Sequence, residues 1–178
     1  MDYRQAISEA ARAAGIDPGI ALRVAWQESR CNQFRPDGSV VTSPKGALGI
    51  MQVMPATAPG VNLADPVANV NAGISELARL RQKYGEWPLA IAAYNWGEGR
   101  VREAVQGLRT VPGEVQRYVA GVLGTGQLQT SAGGWLSQAA PQLAKATPGA
   151  AIKTPQKHPE MIIAALLAGC LFLIWELR

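Results

Sequence analysis

Residues 26–30, WQESR, put one carboxylic acid, Glu28, near the end of an otherwise apolar stretch with helical spacing. A carboxyl held there against Met and Leu side chains would lose hydration, and its pKa would rise toward neutrality. That property suits a general acid, which must hold a proton at the working pH. The competing reading is a surface glutamate paired with Arg23 or Arg30. Two further segments carry side chains suited to a cleft: KGALGIMQVMPAT at 45–57 and AYNWGEG at 93–99. In the first, Gly46 and Gly49 permit a tight backbone beside a ligand. Met51 and Met54 are candidates for the cleft floor, although methionine also fills cores, and the Gln52 carboxamide can both donate and accept hydrogen bonds. In the second, Tyr94 and Asn95 close a helix before a Gly-rich turn, where the Trp96 indole can stack on a ligand or pack on the turn.

The elements that must position these side chains are helices. Tyr3, Ile7 and the Ala10/Ala11 pair recur at helical spacing over 2–14, and Gly15 stops the run. Asp17 with Pro18 supplies a cap and a first-turn proline for a second helix expected to end near Cys31 or Asn32. Ile20, Leu22, Val24, Ala25 and Trp26 give it a largely buried character. Residues 33–45 read as a loop with one short hairpin around Val40 and Val41. Asp65 and Pro66 repeat the cap-plus-proline signal and open a long helix to Tyr84, with Val70, Ile74, Leu77 and Leu80/Arg81 as its inner stripe and Gly85 as its stop. Further helices are expected over 88–95, 100–108 and 114–123. No strand pattern of any length occurs, so this part of the chain is expected to be a compact all-α bundle.

Composition narrows the function classes. The formal charge of +4 and pI near 9.3 come from scattered Lys and Arg, which argues against a nucleic-acid partner. Cys31 and Cys170 give neither a disulfide framework nor metal-ligand spacing, and the single His158 leaves no histidine metal site or Ser-His triad; neither metal nor cofactor is expected. The amino-terminal segment lacks the apolar core of a signal peptide. From 124 to 159 the chain turns rich in Gly, Thr, Gln and Pro and reads as a flexible linker. Residues 161–175, MIIAALLAGCLFLIW, carry no polar side chain. As a helix they cover roughly 22 Å against the ~30 Å of a hydrocarbon core, so 160–178 read as a short membrane anchor or a helix buried on partner proteins.

In this order, the Glu-Ser at a helix end, the loop GALGIMQVMP and the Ala-Tyr-Asn-x-Gly turn resemble the soluble-type lytic transglycosylases, peptidoglycan lyases of lysozyme-like fold. The likeness covers about 16–123 and includes PGEVQRYV, which is similar to the family's Pro-x-Glu-Thr-x-x-Tyr-Val ending. It implies a lysozyme-like domain over 1–123 with minimal β structure, Glu28 as the catalytic acid, and substrate contacts from Ser43, Gln52, Met51, Met54, Tyr94 and Asn95. Tyr94 would reach the carboxyl or the substrate, and Asn95 would order the loop or bind an acetamido group. The implied reaction cleaves the bond between N-acetylmuramic acid and N-acetylglucosamine and leaves a 1,6-anhydromuramoyl end. The interval from Glu28 to Gly46 is longer than the family pattern and contains Asp37. A muramidase with Asp37 as second carboxylate is therefore the alternative enzyme. A wall-binding structural membrane protein of a virion or conjugation machine is the non-enzymatic one. The expected partners are peptidoglycan strands, with membrane or virion components at the tail. The expected setting is a phage virion protein, or a membrane-anchored one, opening the wall from the periplasm.

Overall fold

The computed structural model describes residues 2–124. Among these residues six helices account for the regular structure, and β structure is confined to three isolated antiparallel bridges: Phe34 with Val40, Thr42 with Leu48, and Leu48 with Val53. The expected all-α bundle with minimal β is the fold observed.

Helix α1 (Tyr3–Ala13) starts at Asp2, whose carboxylate accepts from the Arg4 N–H at 3.0 Å. Helix α2 (Pro18–Ser29) uses Asp17 in the same way toward Gly19 N at 2.7 Å, with Pro18 in the first turn. It ends two residues earlier than expected, because Arg30 and Cys31 both turn left-handed at φ 60° and 62°. That early stop leaves Glu28 in the final turn, facing the loop that follows.

Helix α3 (Pro66–Tyr84) is capped by Asp65 onto Ala68 N at 2.7 Å and stopped by Gly85. Its expected stripe is the buried one: Val70, Ile74, Leu77 and Leu80 are at most 2% exposed. Helix α4 (Trp87–Trp96) lies at the centre, with Leu89, Ala90, Ile91, Ala92 and Ala93 all buried, and packs against α3, α5 (Glu98–Val105) and α6 (Gly113–Leu123). Burial of each leucine or isoleucine there contributes about 1.5–3 kcal/mol, so α4 anchors the elements that carry the site.

Trp26 departs from the expected burial. It is 45% exposed, between the guanidinium groups of Arg4 and Arg30 at 5.8 and 5.1 Å from its ring centre. Small Ala21 and Ala25 fill the inner face of α2 and leave the indole outside. The apolar tail, and the linker beyond Gly124, lie outside the described residues. Among those described, no helix is long and apolar enough to cross a membrane.

Candidate active site

The loop GALGIMQVMP is held by two buried carboxamides. The Gln33 Oε1 accepts from Ile50 N at 3.0 Å while its Nε2 donates to the carbonyls of Leu63 and Ala64. The Asn69 Oδ1 accepts from Met51 N at 2.9 Å, and its Nδ2 donates to the carbonyls of Leu48 and Leu63. Both side chains are 0% exposed, so each bond replaces water that the loop backbone has lost. Gly49 is required here: it sits at φ 73°, and a Cβ would lie 2.4 Å from both carboxamides. Gly73, one turn after Asn69 on α3, plays the matching part, since a Cβ there would meet Met51 at 2.4 Å and the Tyr94 hydroxyl at 3.0 Å.

Onto this loop the helix ends are tied. The Ser29 hydroxyl donates to Ile50 O at 2.8 Å and the Tyr94 hydroxyl donates to Met51 O at 2.7 Å. Glu28, adjacent to Ser29, is half-buried and has no cationic partner among the described residues. The arginines that could have paired with it are engaged elsewhere, Arg30 over Trp26 and Arg23 on the Val122 carbonyl. Desolvation pushes its pKa from the ordinary 4.5 up to about 7, against the opposing pull of a hydrogen bond from Tyr118 at 2.6 Å. Burial, reinforced by the neighbouring Glu28, holds the Tyr118 phenol well above its ordinary range, so Tyr118 stays a donor. The carboxyl is thus set to carry a proton near neutrality and to give it up.

Glu28 opens into a cleft of about 550 Å³. Of the residues expected there, Ser43, Gln52, Met54, Tyr94 and Asn95 line it together with Glu28. Met51 does not. Its side chain is 0% exposed and fills the core beside Gly73, and only its backbone carbonyl serves the site, as the acceptor for Tyr94. Gln52 is also narrower in scope than expected. Both Nε2 protons are used, on Val41 O at 3.1 Å and Gly49 O at 2.9 Å, so Oε1 alone is left as an acceptor. Tyr94 is placed by the loop, and the phenol that touches the carboxyl is Tyr118. No role follows for Tyr118 from sequence spacing; the available signal is its position in PGEVQRYV.

Other carboxylates have different surroundings. Asp37 is exposed at a turn, bonded to Ser39 N at 2.9 Å and Ser39 Oγ at 2.6 Å, and is absent from the cleft lining. Those bonds from Ser39 hold its pKa below the ordinary value. Glu76 and Glu98 do line the cleft, yet both bind Arg79, and Glu98 also binds Lys83. Among the described residues no three metal-ligating side chains cluster.

A helical frame around a carboxyl at the end of α2, with a glycine-rich loop pressed against it, defines a lysozyme-like domain. The transglycosylase SLT domain model matches residues 5–114, and the chain belongs to that family. A soluble lytic murein transglycosylase of Salmonella typhimurium is 34% identical over 149 residues, covering 69% of this chain and 22% of that protein. The transglycosylase of Enterobacteria phage PRD1 is 29% identical, covering 75% of this chain and 49% of that one. Among solved structures, the 70-kDa soluble lytic transglycosylase of Escherichia coli superimposes with a TM-score of 0.57 at 32% identity, over 68% of this chain and 23% of that one. The chain thus spans less than a quarter of the length of the bacterial relatives and about half of the phage relative.

Proposed function

We propose that this chain is a peptidoglycan lytic transglycosylase with Glu28 as its single acid and base. The observation that carries the reading is the desolvated Glu28 carboxyl, with no cationic partner among the described residues, beside the Tyr118 hydroxyl and open to the cleft. Protonated Glu28 donates to the oxygen joining N-acetylmuramic acid C1 to N-acetylglucosamine O4, and the C1–O bond breaks as the muramoyl acetamido group assists. The resulting Glu28 carboxylate takes the proton from the muramoyl C6 hydroxyl as O6 bonds to C1, which yields the 1,6-anhydro end and restores the acid without consuming water. Tyr118 stabilises the carboxylate between the two steps. Ser43, Gln52 Oε1, Met54 and Asn95 are the substrate contacts, and Tyr94 fixes the loop while its ring walls the cleft. Likeness to the murein transglycosylase of Salmonella typhimurium supports the substrate class.

The setting is a virion-associated or membrane-anchored enzyme that opens the wall locally from the periplasm during delivery of a phage genome. Likeness to the PRD1 transglycosylase and the apolar run at 161–175 support this. Clearing of purified sacculi by wild type, and its loss in Glu28→Gln with sedimentation on sacculi retained, tests the catalytic reading; equal clearing by both would refute it. Co-flotation of the full chain with lipid vesicles, lost on deletion of 161–175, tests the anchor.

A further inference from the structure

We infer that the face of α1 and α2 carrying Arg4, Trp26 and Arg30 docks on the surface of an anionic lipid bilayer, an inference that rests on the membrane setting proposed above and not on the lyase reading. The Trp26 ring is 45% exposed, and the guanidinium groups of Arg4 and Arg30, both exposed side chains, lie 5.8 and 5.1 Å from its centre. Neither arginine forms an ion pair among the described residues, whereas Arg79, Lys83 and Arg109 are each bound to glutamates. Asp2, the acid nearest Arg4 in sequence, is turned onto the Arg4 N–H as the α1 cap. Backbone strain is accepted to form the cluster. Arg30 stands at the C-cap of α2 with φ 60°, where a glycine would be free of strain, and Cys31 follows at 62°. The Arg30 guanidinium lies back over Trp26 and donates to its carbonyl at 3.3 Å. Arg4 reaches the same ring from α1 and lies against the Cys31 thiol.

Orientation and chemistry select the partner. At 3.6 residues per turn, Trp26 and Glu28 lie about 200° apart around α2, so the cluster faces away from the cleft into which Glu28 opens. A domain resting on Trp26 therefore turns its acid away from the bilayer. An indole, with an apolar body and a polar N–H, sits at the headgroup level, and guanidinium groups beside it bind lipid phosphates by paired charge-assisted hydrogen bonds. Both guanidinium groups already engage the ring's π surface, which leaves less of it for stacking on a sugar. Each cation near an anionic surface raises partitioning about fivefold, so two of them give a weak hold by themselves. The apolar run at 161–175 supplies a tether in the same chain, and the cluster then sets which way the tethered domain faces.

The test mixes the full chain with vesicles of phosphatidylcholine alone, or of equal parts phosphatidylcholine and phosphatidylglycerol, whose brominated acyl chains quench nearby indoles. Subtracting the emission of Trp26→Phe from that of wild type isolates residue 26 from the other tryptophans. The anionic vesicles should quench that emission by about half or more, and the neutral ones should leave it nearly unchanged. Arg4→Gln/Arg30→Gln should lower the docking equilibrium about 30-fold and remove most of the quenching, while Arg4→Lys/Arg30→Lys should keep it. Arg30→Gly, which relieves the left-handed position, should weaken docking about fivefold without lowering Tm. Equal quenching by both vesicles, or quenching that survives the double glutamine substitution, would overturn the inference. So would an unquenched residue 26 in a chain that floats with the vesicles, a result that leaves the tail anchor standing. A chain that floats with neither vesicle removes both. Residue 26 shielded from aqueous acrylamide but not quenched by lipid, in a species sedimenting at twice the chain mass, would identify a second copy as the occupant and overturn bilayer docking.

Discussion

Glu28 and Glu98 line one cleft and differ in almost every physical respect. Glu28 sits against α6 with a phenol as its polar neighbour and no cationic partner among the described residues, and desolvation raises its pKa to about 7. Glu98 opens α5 beside Arg79 and Lys83; burial pushes its pKa up, but the hydrogen bonds from those two cations outweigh it and leave it below the ordinary value. One is therefore a proton carrier near neutrality and the other a permanent anion that pins the start of α5 to α3. Environment, not residue type, separates an acid from a strut.

The contrast breaks most directly with Glu28→Gln, which removes the proton carrier at nearly constant volume. Its kcat on sacculi should fall by about 10⁴-fold or more, at or above the top of the general acid-base range because one group serves both steps. The same substitution should stabilise the fold at high pH. Since the folded pKa of Glu28 lies above its ordinary 4.5, the native state holds the extra proton between pH 4.5 and about 7, and stability falls as pH rises through that window. Thermal melts of wild type and Glu28→Gln should therefore coincide near pH 4 and separate by pH 8, with the variant higher by up to about 3 kcal/mol.

A smaller effect is expected from Tyr118→Phe. Losing the bond that draws the Glu28 pKa down should move the alkaline limb of the pH–kcat/KM profile upward and cost about 10- to 100-fold in kcat/KM near pH 7. Glu98→Gln should change kcat/KM by less than about threefold, since exposed ion pairs contribute little. Asp37→Asn should be smaller still, within about twofold, because it alters an exposed turn away from the cleft. A large loss from Asp37→Asn with a reducing-end product would favour the muramidase instead.

The sequence carried more of the frame than of the site. Asp17-Pro18 and Asp65-Pro66 announce two helix starts, and Gly85 one stop, because caps and left-handed glycines act within a few residues. Glu28 stands out as a lone acid ending an apolar run. Its partner Tyr118 lies ninety residues later on an amphipathic helix, and nothing local to either residue specifies that contact. Met51 and Gln52 are legible as loop residues, but their use is set by Gly73, Val41 and Gly49 around them, which periodicity does not reveal. Asn69 and Gly73 give one missed signal: two non-apolar residues at i and i+4 on α3, both facing the loop.

Mass spectrometry of the soluble muropeptides released from purified sacculi by the full chain tests the single-acid account most directly. Products ending in 1,6-anhydromuramic acid, with no oxygen-18 incorporated from labelled water, are the predicted result. Reducing muramic acid ends carrying the label would contradict it, because they require a water nucleophile and a second base that Glu28 alone does not provide.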